Sequence, residues 1–322
     1  VGSGQGPAGG NRLREGYGEA CAVLAGCWRL IVRNLSTVGL ILLVLVLGAW
    51  GDMMEDSPVV FPSAGALPAK WAPDLSGGKN EAVEEGYYIF GTPVRSLSQI
   101  REIQGAMPKG EFGAVATDWG RLKRTRRILI EGGELRLLAL GDSIVNDTMR
   151  SGWVTLLQEA YGKSRIRGTV YVRGGGGCQH YREEGRIARE VVGRRPDLVL
   201  IGGISQRSVE DVREVVRQLR AGLPEVEIVL MTGAFGTVDP RDSEALSRAG
   251  YSGSGAYGRG LRKLAAEEGC AFVDMTGPWA EYIRSAGVHP HLFYRDVVHA
   301  NEFGEQILAK VLMEFFGVAD CK

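Results

Sequence analysis

Excess charge of one sign is missing from this chain: 38 basic residues balance 38 acidic ones, and the formal net charge is zero. Such a balance gives no whole-protein attraction toward nucleic acid or anionic surfaces. Cysteine is scarce, five in 322 residues, with neither metal-ligand spacing nor a disulfide framework. Cys21, Cys27, Cys178, Cys270 and Cys321 therefore read as buried or incidental thiols. His289-Pro-His291 has no further ligand cluster beside it, so no metal and no cofactor is expected. The basic stretch Arg121 to Arg127 lacks interleaved aromatics, and reads as a solvated face or a cap rather than a nucleic-acid patch.

Long apolar runs are absent with one exception, Leu35 to Trp50, which holds Val38-Gly-Leu-Ile-Leu-Leu-Val-Leu-Val-Leu47. With Leu30 to Val32 it reaches the length of a tilted span, interrupted by Arg33 and Asn34. Arg29 and Arg33 flank one side, and Asp52, Glu55 and Asp56 the other, which orients the cationic flank toward the cytoplasm. The expectation is a transmembrane signal anchor over residues 30–51, a disordered cytoplasmic tail over 1–29, and a catalytic domain outside the cytoplasm. A cleaved signal peptide, and hence a secreted protein, would rest on Leu47-Gly-Ala49, a poor small-x-small site. A buried core helix is the third reading. Leu24-Ala-Gly-Cys27 imitates a lipoprotein cleavage box, but no apolar region precedes it.

Residues 52–133 read as a linker and an extension packing near the catalytic domain. Their first third has the scattered Pro, Gly, Ser and acidic residues of a linker, and a short helix is expected near Ser98 to Gln104. From 134 to 322 the pattern turns regular. Short apolar runs (Leu135–Leu140, Thr169–Val172, Leu198–Ile201, Ile228–Met231 and Ala271–Val273) alternate with helical segments. The best helical spacing is at Val209, Val212, Val215, Val216 and Leu219, with Ser208 and Asp211 resembling a capping box. A last helix, about Glu302 to Phe316, would bury Ile307, Leu308, Val311, Leu312 and Phe315. This predicts an α/β fold with a five-stranded parallel sheet covered on both faces. Reactive groups in such folds gather beyond the carboxyl ends of the strands.

Four features meet that requirement. Leu140-Gly-Asp-Ser-Ile144 ends the first strand and sets Ser143 on a strand-to-helix turn, where a helix N-terminus favours developing negative charge. Arg173-Gly-Gly-Gly-Gly-Cys178 follows the second strand and exposes backbone N–H groups, as an oxyanion hole requires. Gly202-Gly-Ile-Ser-Gln206 ends the third. Asp296-Val-Val-His299 precedes the last helix, and an Asp three residues before a His can hold one imidazole nitrogen while the other faces a nucleophile. Each feature alone has a bland reading as a cap, a loop or a plain connection. Their common order at strand ends is what carries weight.

In that order the region from about Leu135 to Val318 resembles the SGNH (GDSL-type) serine hydrolases, an esterase family. The resemblance implies a flavodoxin-like three-layer sandwich, with Ser143 as nucleophile, His299 as base and Asp296 as the orienting acid. His299-Ala-Asn-Glu-Phe-Gly304 extends the match. It further implies an oxyanion hole from the amides of Ser143 and Gly177, Gly176 being the next choice. The family's usual Asn in the third block is missing: counting along the strand gives Gln206, and aligning by glycine gives Ser205. The implied function is removal of O-acyl groups, acetyl above all, from carbohydrate through an acyl-enzyme. A polysaccharide O-acetyltransferase, a lipase or thioesterase, and an inactive carbohydrate-binding domain are the alternatives.

Gly253-Ser-Gly-Ala-Tyr-Gly258 matches a dinucleotide fingerprint, but no strand precedes it, so it reads as a flexible loop over the site. Phe235 to Gly255 is expected to be a long loop shaping the pocket. His180 and Cys178 are either substrate contacts or packing residues.

Overall fold

The five apolar runs after Gly133 become parallel strands in the computed structural model, which describes residues 69–74, 81–84, 86–206, 208–234, 238–248 and 255–318. The apolar run expected at 30–51 and the tail before it lie outside the described residues, among which no helix is long and apolar enough to cross a membrane. The strands β1 (Glu81–Glu84), β2 (Tyr87–Gly91), β3 (Gly133–Gly141), β4 (Ser164–Arg173), β5 (Leu198–Ile201), β6 (Glu227–Met231) and β7 (Ala271–Val273) form one sheet in the order β1-β2-β4-β3-β5-β6-β7. From β4 to β7 every pairing is parallel. Counted from β3, this is the 2-1-3-4-5 order of flavodoxin-like sheets, whose direction of winding switches between β3 and β5.

Alternation along the strands explains the three layers. Leu135, Leu137 and Ala139 of β3 enter one buried cluster, and Leu138 and Leu140 enter the other. The helices are α1 (Leu97–Ala106), α2 (Lys123–Glu131), α3 (Ser143–Arg150), α4 (Trp153–Ala160), α5 (Cys178–Tyr181), α6 (Val209–Gly222), α7 (Ser243–Arg248), α8 (Ala256–Glu267), α9 (Thr276–Ala286) and α10 (Glu302–Phe315). Residues of α3, α4, α9 and α10 fill the first cluster, while α6 and α8 supply the second through Val212, Val215, Val216, Leu219, Leu261 and Leu264. Ser208 caps α6 by accepting from Asp211 N at 3.1 Å. All five apolar residues expected on the inner face of α10 are buried there.

The sheet is wider than the five strands expected. β2 pairs antiparallel with β4, from Tyr87 opposite Arg173 to Gly91 opposite Thr169, and β1 extends it. Tyr87 and Ile89 point into the core at 4% and 2% exposure, whereas Tyr88 faces water. A five-residue strand next to Thr92-Pro93 is too short to declare its period in sequence. Of the described residues before 133, Glu81–Glu84 and Tyr87–Gly91 are thus built into the sheet, and α1, capped by Ser96 and Gln99, buries Ile100 and Ile103.

The basic stretch is the start of α2. Its first amides, Arg124 N and Thr125 N, donate to the Glu227 carboxylate at 2.7 Å each, and Arg124 pairs with Asp197, while Arg126 and Arg127 face solvent. The glycine-rich 253–258 stretch is corrected in part: Ala256, Tyr257 and Gly258 form the first turn of α8, and Gly258 is buried there. Apolar anchors at Leu261 and Leu264 continue that helix into the core, which outweighs the glycines. Within the expected long loop, Ser243–Arg248 is helical and packs through Leu246.

Candidate active site

Ser143 is the first residue of α3, directly beyond the carboxyl end of β3. The turn is made by Asp142, whose side chain accepts from Ile144 N at 2.9 Å and so caps the helix. Its second oxygen accepts from Ile204 N and Ser205 N, both at 2.7 Å. One buried carboxylate therefore ties the serine turn to the loop after β5. Gly203 permits this approach: at φ +103° it lies so close to Asp142 that a Cβ would collide with the carboxylate. Tyr181 adds a third tie by donating to Gly141 O at 2.6 Å.

His299 reaches the same point from the opposite direction along the chain. Its Nε2 lies 2.8 Å from Ser143 Oγ, and its Nδ1 lies 2.9 and 2.8 Å from the two oxygens of Asp296. Asp296 Oδ1 also accepts from Val298 N and His299 N at 2.8 Å each. Desolvation raises the Asp296 carboxyl, but the backbone amides of His299 and Val298 and the imidazole outweigh it and hold it below the ordinary carboxylate value. With an ionised carboxylate at Nδ1, the imidazole carries its proton on that nitrogen and turns Nε2 toward the hydroxyl as an acceptor. The arrangement can deprotonate the serine and return the proton to a leaving group.

The loop after β4 supplies backbone donors. Gly177 is packed so tightly that a Cβ would clash with Ser205 O and sit 2.5 Å from Gln179 Oε1. Among the described residues, no acceptor is found for the amides of Ser143 or Gly177. Gln206 behaves differently from a free donor. Its Oε1 accepts from Cys178 N at 2.8 Å and its Nε2 donates to Gly202 O at 2.9 Å. The side chain clasps the two loops together, with a second Nε2 hydrogen still to give. Ser205 uses its amide on Asp142 and its carbonyl on Gln179 Nε2 at 3.0 Å. Cys178 is fully buried, and burial pushes its thiol up, so it is a packing residue; the His180 carbonyl accepts from Arg186 at 2.9 Å. His289 and His291 sit around a short 3₁₀ helix, His289 Nδ1 accepting from His291 N at 3.3 Å.

The profile of the GDSL-like Lipase/Acylhydrolase family matches residues 139–307, just over half of the chain and the span that contains every group above. The chain belongs to this family. It is a hydrolase of the SGNH type. No curated protein sequence matches this hydrolase. Among solved structures it is similar to a mutant of an acetyl-xylooligosaccharide esterase from Geobacillus Stearmophilus, at 23% identity and TM-score 0.46, covering 57% of this chain and 94% of that one. An alpha/beta hydrolase enzyme from the metagenome of Lake Arreo, Spain, matches at 23% identity and TM-score 0.45, over 58% of this chain and 96% of that one. A two-domain esterase active on acetylated mannans matches at 16% identity and TM-score 0.48, over 63% of this chain and 54% of that one.

Sequence reasoning overlooked three residues around this candidate site. Asp142 lies inside the Gly-Asp-Ser motif but had no role assigned from sequence. Asp147 lies one helical turn beyond Ser143, and Arg295 directly precedes Asp296. Asp147 Oδ1 accepts from Arg295 at 2.6 Å, across 148 residues of sequence. The spacing of four from Ser143 was the available signal, since it puts both side chains on one helix face.

Proposed function

We propose that this hydrolase is a serine esterase that removes O-acetyl groups from carbohydrate through an acyl-enzyme. The observation that carries the chemistry is the 2.8 Å contact between Ser143 Oγ and His299 Nε2, with Asp296 behind it. Ser143 Oγ attacks the ester carbonyl while His299 takes its proton. The amides of Ser143 and Gly177 meet the oxyanion, helped by the second Nε2 hydrogen of Gln206. His299 then gives that proton to the departing sugar oxygen as the ester C–O bond breaks; a water deprotonated by His299 attacks the acyl-enzyme, and the proton returns to Ser143 Oγ as the acid leaves. The substrate class is supported by exposure. The side chains of His299 and Asp296 are 25% and 47% accessible, which leaves room for a bulky hydrophilic alcohol on the imidazole side. The apolar run at 30–51 supports tethering outside the cytoplasm as part of the same reading.

The test is acetate release from acetylated xylo- and manno-oligosaccharides by the full chain, against long-chain esters and with Ser143→Ala as control. Acetate release with little long-chain turnover is expected. Preference for long acyl chains, or acetyl transfer to added sugar in place of hydrolysis, would replace this reading by one of its alternatives.

Three further outcomes follow from the geometry. In Gly177→Ala the new methyl must push against Ser205 O, displacing the amide beside the reacting carbon. A loss of roughly a hundredfold in kcat is expected, the order seen when one oxyanion donor is removed; an unchanged kcat would remove Gly177 from the oxyanion hole. Asp296→Asn should cost roughly a hundred- to a thousandfold, less than the ~10⁴ typical of a buried triad acid. The side chain is 47% accessible, so water already shares the stabilisation of the imidazolium. Because the Asp296 carboxyl is held below the ordinary carboxylate value, its own protonation should not shape the acid limb of the wild-type pH–rate profile.

A further inference from the structure

Beneath the candidate triad lies a buried set of charges that the chemistry above does not use. Asp147 is fully buried on α3, one turn from Ser143. Its Oδ1 accepts from Arg295 Nη2 at 2.6 Å and its Oδ2 from Ala300 N at 3.2 Å. Arg295 and Ala300 are the residues immediately before Asp296 and after His299. They also close the loop on itself: Arg295 N donates to His299 O at 3.0 Å, the Arg295 guanidinium donates to Ala300 O, and Tyr294 bridges Ala300. The segment carrying both the acid and the base is thus a ring with a narrow neck, and the neck is gripped from the nucleophile's own helix.

The charges around Asp147 come from three elements. Arg295 faces it from the loop, Arg150 from α3, and Glu305 from α10. Glu305, also buried, accepts from Arg150 at 3.0 Å and from Arg95, and lies 3.7 Å from Arg295. Burial raises the Asp147 carboxyl, and Arg295 opposes it. A carboxylate in such a place costs desolvation, which its partners offset only when they hold it in a fixed, well-formed geometry. That rigidity is what a nucleophile–base contact needs, since a displacement of about 1 Å can lower a rate on the order of a hundredfold.

We infer that Asp147 is a positioning residue, clamping the neck of the 295–300 loop so that His299 Nε2 stays within reach of Ser143 Oγ. The inference rests on the acyl-transfer reading for its kinetic consequence, and on geometry alone for its spectroscopic one. Asp147 touches neither substrate nor reacting atoms; it acts through Arg295 and the Ala300 amide.

The experiment uses the full chain carrying Asp147→Asn, Arg295→Met or both. Each single change should lower kcat on a small acetyl ester by roughly ten- to a hundredfold, with KM within about twofold. The double variant should be no slower than the slower single one, because both remove the same clamp. The low-field proton resonance of the imidazole Nδ1–H bonded to Asp296 should broaden or move in each variant. A purely structural role would lower the melting temperature while leaving kcat per folded molecule and that resonance unchanged, and this result overturns the inference; so do losses that multiply in the double variant. Should Asp147→Asn fail to fold, Arg295→Met carries the test, since that side chain is 27% accessible and its loss opens less of the core. If the wild type hydrolyses no ester, the acyl-transfer reading falls, and the low-field resonance still decides the clamp.

Discussion

Replacing Ser143 by alanine is expected to lower kcat for ester hydrolysis by about 10⁶, the scale of removing a nucleophile from a serine triad. In the proposed mechanism the hydroxyl is the atom that attacks, and the thiol of Cys178 cannot take its place, because it is buried and pushed up by that burial. Stability should change by only ~0.5 kcal/mol. The cap of α3 is Asp142 rather than Ser143, so the helix keeps its N-terminal bonds when the hydroxyl goes. Residual turnover of about 10³–10⁴ over water would come from the oxyanion amides and binding alone. Acetate release and urea denaturation of the same preparation separate the two effects. A Ser143→Ala protein that kept its kcat would end the acyl-enzyme mechanism.

Arg95→Ala should give the largest loss of stability, about 3–5 kcal/mol, the usual consequence of removing one partner from a buried ion pair. Arg95 is completely buried and donates to Arg150 O at 2.9 Å, to Trp71 O and to Glu305. Glu305 is itself only 1% accessible, and without Arg95 it keeps Arg150 at 3.0 Å and Arg295 at 3.7 Å. Burial already raises the Glu305 carboxyl, and losing a cation raises it further. A group raised in the folded state binds its proton more tightly there than in the unfolded chain. Wild type and variant both lose stability as pH rises above the ordinary carboxylate value, but the variant goes on losing it up to its still higher folded value, so its deficit against wild type opens above the wild-type group's raised titration and shrinks in acid. Urea midpoints at neutral and acidic pH measure both. A deficit that does not depend on pH would mean that the lost packing, not the charge, dominates.

The parallel part of the sheet was legible because its strands are apolar, short and separated by helices of clear spacing. Burial on both faces demands such runs, and each strand end then exposes a turn. The candidate site was legible for a related reason. Ser143, Gly177 and the Asp296–His299 pair each belong to a local motif whose chemistry can be judged within a few residues. The glycine-rich 253–258 stretch misled because helix formation there depends on anchors further along α8. Counting along the strand puts Gln206 at the place of the missing Asn, but its role as a clasp depends on Cys178 N, 28 residues away, which no local spacing shows.

The residues before 134 were the least legible part. β2 is five residues long and becomes a strand because β4 offers an open edge. Arg95 looks like any surface arginine in sequence, and it is buried only because Glu305, 210 residues later, arrives beside it.

By itself, then, the sequence determined the periodic elements, their order, and the four chemical motifs at the strand ends, since these follow from side-chain type and spacing along one chain. Only the tertiary structure decided the antiparallel edge, the clasp between the two loops and the charged clamp under the 295–300 loop. Those contacts join residues tens to hundreds apart, and their strength comes from burial, which no local stretch of sequence records.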